Sequence, residues 1–139
     1  MTAASTGVAR AQDGRVAVRT AAGSPVAGHV RLANGFWARF RGLMGSRPLD
    51  ADAGLYLPVN SIHMLFMRFP IDAVFVSPPS TDGTREVVAV RERLRPWLGV
   101  VWWVSGVGGR GGVIELAAGA AAAAGLRKGD LVRLGQPQP

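Results

Sequence analysis

The stretch from Ser61 to Val76, SIHMLFMRFPIDAVFV, constrains this chain most. Its apolar run is nearly continuous, so strands built from it are expected to be covered on both faces. Between Ile62 and Val76 only His63, Arg68 and Asp72 can ionise. Burying any of them alone costs several kcal/mol, so each needs a partner or a solvated cleft. Pro70 breaks the run into two strands, Ile62 to Met67 and Ile71 to Val76.

The flanking sequence supports a β architecture. Arg15 to Thr20 alternates charged and apolar residues, and Pro25 to Leu32 follows a Gly-Ser-Pro turn. Gly54 to Val59, Arg85 to Arg93, Val100 to Val104, Val113 to Leu116 and Asp130 to Leu134 read as further strands. The Arg85 to Arg93 alternation puts Val88 and Val90 on one face, Val87 and Ala89 on the other. Gly106 to Gly112 reads as a flexible hairpin connection, since it matches no phosphate-loop pattern. Two short helices are predicted. One starts at Asn34 with Phe36, Trp37, Phe40, Leu43 and Met44 at helical spacing, and stops at Gly45. The other spans Ala120 to Ala124, with Gly125 at C′ and Leu126 placed for the accompanying apolar contact. Seven to nine short strands with two short helices predict a mainly β fold, an antiparallel sandwich or barrel-like sheet.

The 139 residues suit one domain, expected over 14–135, with disordered segments at 1–13 and 136–139. The chain has no cysteine, which excludes disulfides, thiolate metal sites and thiol catalysis. No signal-peptide pattern opens it, and the apolar run from Trp97 to Val107 is too short to span a membrane. A cytoplasmic protein is expected. The net charge of +7 would point to nucleic acid, but its distribution weakens that inference. Basic flanks surround an acidic middle, where residues 50–84 hold one Arg against four Asp. Nearly all the cations are Arg, and a solvated basic surface is the simpler account.

The candidate ligand-binding residues are His63, Arg68, Asp72 and Glu115. Glu115 is the isolated charge in the apolar strand GGVIELAAG, and thus a natural distant partner for Arg68 or Asp72. A network pinning the Phe-Pro-Ile corner is the commoner use of such charges, and a ligand cleft is the functional alternative. Ser61 and His63 could suggest a Ser-His hydrolase, but no nucleophile elbow is present. Asp72 with Glu115 could act as general acid and base. His63, Met64 and Met67 form a soft cluster better read as core filler than as a copper site, and two His without Cys do not make a zinc site. No metal or cofactor is expected. Trp102 and Trp103, adjacent on a strand, face opposite sides, which leaves one as a candidate protein-docking residue.

Four landmarks then occur in order. They are Arg39 to Gly45 (RFRGLMG), Ser61-Ile62-His63 with Phe66 to Asp72 (FMRFPID), Leu94 to Trp97 (LRPW), and Ile114 to Gly119 (IELAAG) with Gly125 to Asp130 (GLRKGD). Together they resemble the bacterial and archaeal family called domain of unknown function 192, over about residues 28–134. The resemblance implies a compact, mainly β fold and no assigned activity. This chain has Met64 where the matching branch usually has Thr, and Leu98 to Val107 is more apolar than that branch implies. The reading reached from the residues is a small binding module for a small ligand or protein partner. A hydrolase using His63, Asp72 and Glu115 is the alternative, with nucleic-acid binding through the Arg-rich flanks third.

Overall fold

The computed structural model describes residues 15–32, 50–59, 62–63, 69–95, 100–101 and 104–135. Nine strands occur among them: β1 (Arg15–Thr20), β2 (Pro25–Leu32), β3 (Ala53–Leu57), β4 (Ile62–His63), β5 (Ile71–Val76), β6 (Arg85–Leu94), β7 (Val100–Val101), β8 (Gly112–Ala117) and β9 (Leu131–Gly135). Seven close into a barrel in the order β1-β2-β3-β8-β5-β6-β9, and β4 pairs with β7 as a separate ribbon. Closure removes the exposed sheet edges that otherwise invite association. The expected fold class therefore holds, and the sheet is the barrel form. One pair departs from an all-antiparallel arrangement: β2 runs parallel to β3, with His29 opposite Ala53 and Leu32 opposite Tyr56. The twenty residues between these strands are ample for the crossover that a parallel pair requires. The predicted Asn34 helix lies outside the described residues.

Two apolar clusters flank the barrel wall. The interior holds Val16, Val18, Val30, Val74, Val76 and Leu116 among others. The outer cluster, on the β3-β8-β5-β6 side, holds Leu55, Leu57, Ile71, Phe75, Val104 and Val107. All six residues of β5 are buried, because alternate side chains enter alternate clusters. Each large apolar side chain so placed contributes about 1.5–3 kcal/mol.

Strand β6 does not keep the alternation its sequence suggests. Phe75 pairs with Ala89 but Val76 with Val87, so one extra residue, Val88, is accommodated in β6. This bulge sends Val87 and Val90 to the interior cluster, and Val88 and Ala89 to the outer one. The expected grouping of Val88 with Val90 is corrected accordingly. The Gly106–Gly112 link is also tighter than a flexible connection. Gly111 and Gly112 are buried, and a Cβ on Gly111 would lie 2.1 Å from the Val107 carbonyl oxygen and 2.5 Å from that of Val76.

The single helix among the described residues, α1 (Ala120–Ala123), plugs one end of the barrel with Ala121 in the interior cluster. It ends as its sequence predicts. Gly125 takes φ 68° and donates to the Ala122 carbonyl, and the Leu126 N–H reaches the Ala121 carbonyl. That is the paired hydrogen bonding of a Schellman cap, and Leu126 supplies the buried apolar contact.

Candidate functional site

Asp72 is 0% exposed. It faces the interior at the α1 end, because it pairs with Leu116 across β5 and β8. A second bulge lies beside it. Ile71 pairs with Leu94 but Ala73 with Arg91, so the extra residue of β6 sits opposite Asp72. Arg93 there adopts φ 54°, and its freed N–H donates to Asp72 Oδ1 at 2.8 Å. Asp72 Oδ2 accepts from the Gly119 N–H at 3.0 Å and the Ala121 N–H at 2.9 Å. Gly119, the N-cap of α1, has no side chain to satisfy these donors, so a carboxylate from β5 does it instead. Asp72 thus ties the bulge, the β8–α1 turn and the helix start together.

Glu115 is 1% exposed and faces the other way. It pairs with Leu55 on one side and Ala73 on the other, residues of the outer cluster. The wall therefore separates Asp72 from Glu115, and a paired acid–base role for the two is not available to them. The β4–β7 ribbon lies over the Glu115 face, since Val101 packs on the outer cluster. His63 is in that ribbon, opposite Val100. Arg68, Trp102 and Trp103 lie outside the described residues. The structure thus brings the His63 backbone to the Glu115 side and puts Asp72 on the opposite one.

At the other end of the barrel Arg85 is 4% exposed. It donates from Nη1 to the Tyr56 hydroxyl at 3.0 Å and to the carbonyls of Arg110 at 3.2 Å and Ser77 at 3.4 Å. Its guanidinium carbon lies 5.3 Å from the Tyr56 ring centroid. Burial pushes the Tyr56 phenol up, while Arg85 opposes the shift through its charge and hydrogen bond. Nearby, at the β5–β6 turn, Asp82 accepts from the hydroxyls of Ser80 and Thr84 and from the Thr84 N–H. These bonds, with that from Ser80 the strongest influence, hold its carboxyl well below the usual carboxylate range.

A site that sequence reading missed lies on the outer wall at β1, β2 and β3. Arg15, His29, Arg31, Asp50 and Asp52 line an open groove of about 460 Å³. Arg15 and Arg31 are directly opposite across β1 and β2, a like-charge pairing that costs stability unless an anion is near. Asp52 accepts the Gly28 N–H at 2.7 Å, and its other oxygen is 3.8 Å from His29 Nε2. A Cβ on Gly28 would lie 2.6 Å from that carboxylate, so glycine lets the acid close on the strand. Only the alternation of His29 and Arg31 along β2 hinted at this face. The parallel β2–β3 pairing, which brings up the Asp50–Asp52 turn, had no local signal.

Residues 17–134 match the family described as uncharacterized ACR, domain of unknown function 192 (DUF192). The chain belongs to this family. Among relatives of this DUF192 domain is a UPF0127 protein of Thermococcus sibiricus, 40% identical over 75 residues. That match spans 50% of this chain and 45% of the relative, so the chain aligns with less than half of that protein. Two crystal structures share the fold, each with a TM-score of 0.62 over 86% of this chain. One, from Sinorhizobium meliloti, is described as a "putative transcription regulator" and is 24% identical, with 92% of it covered. The other, from Novosphingobium aromaticivorans, is described as a protein of unknown function and is 23% identical, with 83% covered. Among the described residues of the DUF192 domain no helix is long and apolar enough to cross a membrane, and no group of three or more His, Asp or Glu could hold a metal.

Proposed function

We propose that this domain is a binding module for a small ligand and that its site is the charged groove on the outer wall of β1, β2 and β3. The observation that carries this reading is convergence. Arg15, His29, Arg31, Asp50 and Asp52 come from two strands and a turn, yet they line one cavity. Convergent polar groups in a concavity are the usual mark of a ligand site. Asp72 is left out of the ligand set, since three backbone N–H groups already occupy its oxygens. The Sinorhizobium relative's description would suggest a nucleic acid as the ligand, but two aspartates in the same groove repel a phosphate backbone.

A second reading moves the expected cleft of His63, Arg68 and Asp72 to the wall face where the His63 backbone and Glu115 lie. Burial of the Glu115 carboxylate beneath the ribbon that carries His63 favours it. One experiment compares the two. Backbone amide shifts are followed by NMR while a small-molecule library is titrated into the protein. Shifts centred on Gly28, His29, Arg31 and Ala53 support the groove, and shifts centred on His63, Val100 and Glu115 move the site to the cleft. A library that shifts neither set removes both readings.

A further inference from the structure

Within the groove His29 and Asp52 approach to 3.8 Å, but one pair of opposite charges stays open. Arg15 and Asp50 line the same cavity, but among the described residues neither side chain makes a hydrogen bond or ion pair. Opposite charges sharing a concave surface would gain by closing on each other, and here they do not. The basic end is the Arg15–Arg31 pair across β1 and β2. The acidic end is the Asp50–Asp52 turn, fixed beside Gly28 and His29 by the Asp52 bond to the Gly28 N–H and the His29 N–H bond to the Asp52 carbonyl.

Along β2 the two ends are two to three residues apart, which is about 7–10 Å at strand rise. A simple anion meets the two arginines but also two aspartates, and a simple cation has the converse problem. We infer that the groove takes a dipolar small molecule, its carboxylate or other anionic group on Arg15 and Arg31 and its ammonium on Asp50 and Asp52, the two separated by about 7–10 Å. This rests on the groove being the ligand site, and it adds the class of ligand. Such a molecule satisfies Arg15 and Asp50 together, which nothing with a single charge can do.

The probes are a series of ω-amino acids from glycine to 6-aminohexanoate, with butanoate and butylammonium as single-charge controls. Each is titrated into the full chain while the amides of Gly28, His29, Arg31 and Ala53 are followed by NMR. Affinity should rise along the series, be highest at its long end, where the charges reach the groove's spacing of about 7–10 Å, and exceed either control by about fivefold. Asp50→Asn should remove that advantage from both sides, weakening the amino acids and strengthening butanoate. Arg15→Gln should weaken the amino acids and butanoate alike. Equal affinity for butanoate and the best amino acid would overturn the dipolar class and leave an anion groove. If no probe shifts these amides, the groove itself is not the site and the inference falls with it.

Discussion

Replacing Asp72 with alanine removes one acceptor group that three backbone donors share. The Arg93, Gly119 and Ala121 N–H groups are 2.8, 3.0 and 2.9 Å from its oxygens. The Ala121 N–H is buried, and those of Arg93 and Gly119 are partly so. An unmet buried donor costs about 1–3 kcal/mol, and bonds to a charged acceptor lie at the upper part of that range. Water can enter beside the exposed Arg93, which reduces its share. The loss for Asp72→Ala is then about 4–5 kcal/mol, a large part of the roughly 5–15 kcal/mol that holds a domain of this size. Asp72→Asn is the milder test. Its amide can turn its oxygen towards Gly119 and Ala121 while its NH2 opposes the Arg93 N–H, so about 1–2 kcal/mol should be lost. Urea unfolding measures both, and hydrogen exchange reads the three amides directly. All three should exchange faster in Asp72→Ala, whereas in Asp72→Asn the Arg93 amide should be the one most affected. An Asp72→Ala protein within 1 kcal/mol of the parent, or unchanged protection at these amides, would refute the bracing role.

Gly112→Ala should cost about 2–3 kcal/mol, because its Cβ would lie 2.4 Å from the Leu57 carbonyl oxygen and 2.5 Å from the Tyr56 hydroxyl. Gly83→Ala, whose Cβ would meet nothing within 4 Å, should lose only the cost of its positive φ, about 1–2 kcal/mol; thermal or urea unfolding of the pair separates crowding from strain. Tyr56 is the chain's only tyrosine, so phenolate absorbance titrates it alone in the native protein. With its folded pKa raised, its contribution is fully present below about pH 10 and is lost as pH rises through the folded value. Tyr56→Phe should lower stability at neutral pH by about 1 kcal/mol and flatten that alkaline decline in pH-resolved unfolding. Asp82 has the opposite sign. Its depressed pKa gives stability present above about pH 4 and lost as pH falls through the folded value, so Asp82→Asn should flatten the acid limb of the same curve.

What was legible in the sequence was what short-range chemistry decides. The β5 strand, the Pro25–Leu32 strand and the α1 cap at Gly125 and Leu126 all follow from local patterns, because apolar runs, turn residues and C′ glycines act over a few positions. The β6 bulges were not legible. Val88 breaks the face alternation only because Phe75 and Val76 on the neighbouring strand fix where Ala89 and Val87 must lie. The candidate site divided along the same line. That Asp72 and Glu115 are isolated charges in apolar strands could be read directly. Their placement on opposite faces depends on β5 pairing with β8 in one register, and a one-residue slip would have set Asp72 directly opposite Glu115 on one face. The charged groove was less visible still, since Asp50 and Asp52 reach β2 only through the parallel β2–β3 pair.

The packing of the barrel also argues where a ligand can go. A seven-strand barrel has an interior narrow enough for side chains alone to fill, and valines and leucines from six of the strands, with Tyr56 from β3, do so here. Both ends are engaged as well. At one, Asp72 fastens α1 and Ala121 and Leu126 join the core; at the other, Arg85 donates to the Tyr56 hydroxyl and to the carbonyls of Ser77 and Arg110. Opening either end would strand buried hydrogen-bonding groups, whereas the outer wall at β1, β2 and β3 exposes its charges at no such cost. The same contrast assigns the polar residues their work. Asp72 and Arg85, bonded on several sides and withdrawn from water, hold the frame. Arg15 and Asp50, exposed and facing one groove, are free to meet a ligand without disturbing it.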